Sequence, residues 1–158
     1  MKKLKIYLET TVFNFYFDTD RDAHKDTLKL FEQIKEGIFE PYTSAYVVDE
    51  LLKAHEPKKT NMINLLKKYD IKLLDPSAEA QRLMEIYVAE GVIPQRFSYD
   101  GLHIAIGAIN ELDCIISFNF QHINKLKTKT MTDYINKKEG YIKPLYICVP
   151  MEVLENEE

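Results

Sequence analysis

The chain has 158 residues, a formal net charge of −4, 46% hydrophobic residues and 29% charged ones. That length suits one domain with a buried core, and the acidic balance argues against a protein that coats nucleic acid over its whole surface. No apolar run reaches the ~18 residues a membrane span needs, and MKKLKIYLE lacks the long apolar region and cleavage site of a signal peptide. The expected location is therefore the cytoplasm.

The predicted elements alternate along the chain. KLKIYL reads as a short strand that stops on Glu9, with Thr10 and Thr11 just beyond it. In the following VFNFYFD, the alternation of Phe13, Phe15 and Phe17 predicts rings that fill a core or a subunit interface beside a strand, in preference to a base-stacking platform. Residues 23–36 predict a helix with Leu28, Phe31 and Ile34 on one side. IFEPYTS is extended, and Thr43 or Ser44 caps a helix over residues 45–55. Pro57 opens another helix ending near Tyr69.

IKLLD is the next strand, after which Asp75 or Ser77 caps a helix closed by Gly91. Ser98 is expected to cap YDGLHIAIGAINEL, and DCIISF follows as an apolar strand. Beyond Phe118 the chain turns polar and lysine-rich, a loop with one helix, before the last strand PLYICV. Cys114 and Cys148 lie in strand-like runs without a CxxC spacing, which predicts buried free thiols and no zinc site. There is no glycine-rich phosphate loop.

Strands separated by helices predict a mostly parallel sheet covered on both faces. In such sheets the binding crevice lies beyond the carboxyl ends of the strands. Glu9 ends the first strand and Asn119 follows CIISF closely, so both approach that crevice. Glu50 shares a helix face with Val47, Leu51 and Ala54, where a carboxylate is costly unless paired or bound to a cation. Asp100 sits in a first helical turn, where the macrodipole favours negative charge. Hard oxygen donors without a Cys/His set suit Mg²⁺ or Mn²⁺.

His103 stands three residues after Asp100, able to share a helix side with it as ligand or base or to pack beside the first strand. His122 follows Asn119 and is placed to contact a phosphate or an amide, whereas His24 and His55 read as surface residues. Lys125, Lys127 and Lys129 lead a lysine-rich stretch that reads either as a phosphate-facing edge or as a solvated helix face.

Four stretches, IYLETTVF, SAYVVDEL, YDGLHIAIGAINELDCIISFNFQHI and YICVPMEVL, resemble the PIN domains in the family's order and span residues 6–154. This is a family of small Mg²⁺- or Mn²⁺-dependent ribonucleases that includes the VapC-like toxins of toxin–antitoxin pairs. The resemblance implies a single domain over residues 1–158 with a Rossmann-like three-layer α/β/α sandwich. It implies metal ligands at Glu9, Glu50 and Asp100, with Asn119 completing the catalytic set. Thr11 and Ser117 match its supporting hydroxyl positions. It also implies RNA as substrate, an antitoxin-like protein partner and a homodimer.

Two positions depart from the common pattern. Glu9 stands where aspartate is more usual, and Asn119 stands where the family often has a further aspartate. The form SFNFQHI with a first-strand glutamate resembles a subgroup in which this variant recurs. The departures leave a second expectation beside the nuclease: a catalytically weak PIN-like module that binds RNA or protein.

Overall fold

The structure, a computed structural model, describes residues 2–156; Met1, Glu157 and Glu158, part of the expected domain, lie outside the described residues. Its centre is a five-stranded sheet in the order β3-β2-β1-β4-β5. The strands are β1 (Leu4–Leu8), β2 (Phe39–Ser44), β3 (Lys72–Leu74), β4 (Cys114–Ile116) and β5 (Tyr146–Cys148). All pairs are parallel. The order reverses beside β1, whose neighbours β2 and β4 come from opposite halves of the sheet. In an open parallel sheet this is where a crevice opens beyond the strand ends.

The helices are α1 (Thr10–Phe17), α2 (Ala23–Lys35), α3 (Ala45–Leu52), α4 (Lys58–Lys68), α5 (Ala78–Ala89), α6 (Ser98–Ile109), α7 (Leu126–Lys138) and the short α8 (Pro150–Val153). In one group α1 packs on α2, α3 and α4, and α2 on α8; in the other α5 packs on both α6 and α7. The three-layer α/β reading of the sequence therefore holds. No helix among the described residues is long and apolar enough to cross a membrane.

Local chemistry explains most boundaries. Ser44 and Ser77 cap α3 and α5 by accepting the backbone N–H groups of Val47 and Ala80. Gly91 follows α5 with φ +76°, a conformation glycine adopts at little cost. Pro41 sits within interior strand β2 opposite Ile6, but β3 pairs only from Tyr42 onward, so the missing N–H interrupts no bond on that side. Gly107 lets α6 close on β4: an added Cβ would stand 2.6 Å from the Ile115 side chain. Cys114 and Cys148 are free thiols, as expected, with Cys114 buried and Cys148 only half-buried.

Three expectations are corrected. VFNFYFD does not run beside a strand; it forms α1, directly after β1. Val12 and Phe13 enter the core, and Tyr16 lies edge-on to Phe31 and Tyr69. Buried and core-facing positions 12, 13, 16 and 17 follow a helical repeat, which masks the odd-number alternation of the phenylalanines. Ser98 does not cap α6, because a 3₁₀ turn over Gln95–Phe97 after Pro94 already carries Ser98 into helical geometry. His24 is half-buried, with Nδ1 2.9 Å from the Phe15 carbonyl oxygen.

Candidate active site

The site forms where β1 and β4 end side by side, in register through Leu8 and Ile116. Glu9 continues β1 and its backbone N–H donates to the Ile116 carbonyl (3.1 Å), so the sheet ladder itself places it. Its side chain is 4% exposed. A carboxylate buried to that degree needs donors, and the sequence supplies them. The hydroxyls of Thr11 and Ser117 each donate to Glu9 Oε1 at 2.6 Å. Thr11 Oγ1 in turn accepts the Phe118 N–H, and Ser117 Oγ accepts the Asn119 N–H. Both supporting hydroxyls expected from the sequence thus touch the first acid.

Asn119 is used differently from the expectation. Its Oδ1 accepts the backbone N–H groups of Gln121 (3.2 Å) and His122 (3.0 Å). An amide oxygen has two lone pairs, and both serve this turn. Asn119, expected in the catalytic set, thus has its side-chain oxygen engaged by the backbone of its own turn. Asn124, which the sequence reading overlooked, donates from Nδ2 to the Ser117 carbonyl and closes the same loop.

Glu50 and Asp100 approach from α3 and α6. Val47 and Leu51 anchor α3 in the core, while the Glu50 side chain is 40% exposed at the rim. Burial opposes its charge, yet the hydrogen bond and positive potential of His103, together with Thr10 and Lys53, hold it below the usual carboxylate range. Asp100 lies in the first turn of α6, and its pKa is raised by burial, with Glu9 and Glu50 adding to the rise and His103 and His122 opposing it. Asp100 therefore feels both other carboxylates. His103 is wholly buried, with Nδ1 on the Tyr7 hydroxyl and Nε2 on Glu50 Oε1. Burial disfavours its charge, but the Glu50 bond and the Glu9, Glu50 and Asp100 charges raise its pKa.

A cleft of about 330 Å³ opens beside Glu50 and Asp100, walled by Tyr46, Phe97 and Tyr99 and edged by Asp49, Lys53 and Arg96. Tyr46 and Tyr99 stand 5.2 Å apart, and Arg96 lies over the Phe97 ring. The His122 ring stacks on Phe97 at 4.2 Å, and its Nε2 is shielded from solvent without a hydrogen-bond partner among the described residues. The three lysines separate. Lys127 reaches the Gly91 carbonyl, Lys125 precedes α7, and Lys129 faces a groove beside β5. The aromatic wall was not read from the sequence, where Tyr46 and Tyr99 are two of ten tyrosines with nothing local to single them out.

The donor set suits a hard divalent cation: carboxylate oxygens, hydroxyls and no thiolate. Thr10 Oγ1 is also buried without a hydrogen-bond partner among the described residues, close enough to Glu50 to favour its charge. Among the described residues, no group of three His, Cys, Asp or Glu side chains stands close enough to share one ion. The donor types are those of a hard-cation site, while the carboxylates stand apart at the end of β1, on α3 and on α6.

No family model and no curated protein matches the chain. Among solved structures it is similar to the crystal structure of VapC20 from Mycobacterium tuberculosis, a toxin that cleaves the sarcin–ricin loop. The TM-score is 0.57 at 10% sequence identity, covering 74% of this chain and 92% of that one. The likeness is one of fold, and at that level the chain is PIN-like, as its motifs suggest.

Proposed function

We propose that this protein is a divalent-metal-dependent endoribonuclease that hydrolyses RNA phosphodiester bonds as the toxin of a toxin–antitoxin pair. The observation that carries the reading is that Asp100 and His103 both feel the charges of Glu9 and Glu50, close to the strand-order reversal of a parallel sheet. The fold shared with an RNA-cleaving toxin supports it.

Glu9, Glu50 and Asp100 hold Mg²⁺ or Mn²⁺ in this reading. Bound there, the ion supplies Lewis acidity at a phosphate oxygen and lowers the pKa of an attacking water. The protein's own side chains do the rest. Thr11 and Ser117 fix Glu9, and the Asn119 turn fixes the loop beneath the substrate. Lys53 and Arg96 offset phosphate charge at the cleft, and Lys125, Lys127 and Lys129 meet the backbone further along. The rings of Tyr46 and Tyr99 at the cleft offer faces to unpaired bases, and His122 stacks behind Phe97 as a support for that wall. An antitoxin-like partner and a homodimer belong to the same reading.

Glu50→Gln should abolish Mn²⁺-dependent cleavage of RNA while circular dichroism stays that of the folded protein. Cleavage that survives this change overturns the assignment. The separation of the carboxylates favours one second reading, a catalytically weak RNA- or protein-binding module. Calorimetry with Mn²⁺ decides between them, since absence of binding at millimolar concentration supports the module.

A further inference from the structure

A file of buried hydrogen bonds runs from the sheet interior to Glu50. Ser44 Oγ accepts the Val47 N–H at the start of α3 and lies 2.7 Å from the Tyr7 hydroxyl. Tyr7 Oη lies 2.5 Å from His103 Nδ1, and His103 Nε2 lies 3.3 Å from Glu50 Oε1. Ser44 and Tyr7 are fully buried and His103 is 1% exposed. A buried hydroxyl there is costly unless fully satisfied.

Counting protons gives the file a direction. With a neutral imidazole protonated on Nε2, Ser44 donates to Tyr7, Tyr7 donates to Nδ1, and Nε2 donates to Glu50. Every hydrogen then has an acceptor. With Nδ1 protonated instead, Tyr7 must donate back to Ser44, whose own hydrogen has no acceptor among the described residues. The first arrangement leaves no buried donor unmet.

We propose that, with His103 in its neutral form, Ser44, Tyr7 and His103 form a one-way hydrogen-bond relay that anchors the Glu50 carboxylate, making Tyr7 and His103 positioning residues for Glu50. The relay mirrors the Thr11 and Ser117 clamp on Glu9. One acid is held by hydroxyls from the strand ends, the other through an imidazole from α6. Glu50 is engaged through Oε1, which leaves the other oxygen for a cation. The consequence for metal rests on the ribonuclease reading; the relay itself does not.

Two measurements test it. In ¹⁵N-histidine NMR of the full chain, at a pH where the imidazole is neutral, His103 should appear as the single Nε2–H tautomer. Tyr7→Phe should shift its Nδ1 resonance and let both tautomers appear. An Nδ1–H tautomer in the wild type, or a spectrum unmoved by Tyr7→Phe, overturns the relay. In the second measurement, Tyr7→Phe should weaken Mn²⁺ binding by roughly 10-fold, the scale of other groups that orient a metal ligand. His103→Gln, which keeps an amide donor for Glu50, should retain most of the affinity, and His103→Leu should not. Tyr7→Phe should add nothing in the His103→Leu background, and equal effects in both backgrounds overturn the relay. Should the wild type bind no Mn²⁺, the ribonuclease reading fails while the tautomer measurement still decides the relay.

Discussion

The floor and the rim of the candidate site are built on different principles. The floor consists of Glu9, Thr11, Ser117 and Asn124, where β1 and β4 end in register, and every one of these residues is hydrogen-bonded within it. The rim consists of Glu50, Asp100, Tyr46 and Tyr99 on α3 and α6, and its side chains are partly exposed, Tyr99 to 58%. The floor inherits its geometry from a backbone ladder. Side-chain torsions and two helix positions set the rim instead. A site of this kind separates stability from function: the floor contributes to folding, whereas the rim adjusts to what it binds.

Core substitution sets the largest contrast. Ile116→Ala, at a fully buried position leading into the floor, should destabilise by about 2–5 kcal/mol in urea unfolding. Tyr99→Ala at the rim should stay within about 0.5 kcal/mol. Equal losses at the two positions would break the distinction.

Within the floor, Ser117→Ala removes a donor to the Glu9 carboxylate and an acceptor for the Asn119 N–H. Leaving buried polar groups unmet should cost about 1–3 kcal/mol, and metal binding at Glu9 should weaken in parallel.

Asp100 sharpens the comparison in the opposite sense. Its folded pKa is raised by burial and by its acidic neighbours, so ionisation above the unfolded carboxylate pKa opposes folding. Asp100→Asn should therefore raise the melting temperature at neutral pH while impairing any metal-dependent activity. A lowered melting temperature would show that the aspartate is structural.

The smallest effect concerns the Glu50–His103 contact. A lowered carboxylate contributes stability above its unfolded pKa of about 4.3 and loses it as pH falls through the lower folded value. A raised imidazole contributes below about 6.5 and loses it as pH rises through the higher folded value. The melting-temperature difference between wild type and His103→Gln should be greatest between about pH 4.3 and 6.5. A flat difference would mean that the pair carries no charge interaction.

Legibility followed the same division. Glu9 was readable because it closes an apolar strand, and strand ends in a parallel sheet mark a crevice, whereas Ser117 entered only through the resemblance to PIN domains. Glu50 was expected on an apolar face with Val47, Leu51 and Ala54, but α3 ends at Leu52 and the Glu50 side chain stands at the exposed rim. The helix α1 was not readable, because alternating phenylalanines imitate a strand and a turn immediately after β1 leaves no loop to announce it. Nothing in the sequence announced that the Asn119 side-chain oxygen accepts two backbone N–H groups of its own turn. Tyr7 offered one faint signal: it lies two residues before Glu9, so in an extended chain both point to the same face.

The sequence by itself determined the alternating elements and the parallel sheet. These follow from periodicity, capping and connection rules, which act over short spans of chain. Only the tertiary structure decided that Glu50 is tied to Tyr7 through His103, that Tyr46 and Tyr99 wall one cleft, and that the carboxylates rest apart. Those contacts join residues about 40 to 100 positions apart, consistent with the 37, 53 and 96 residue separations along the relay. Packing of helices onto the sheet fixes them, and no local pattern carries that information.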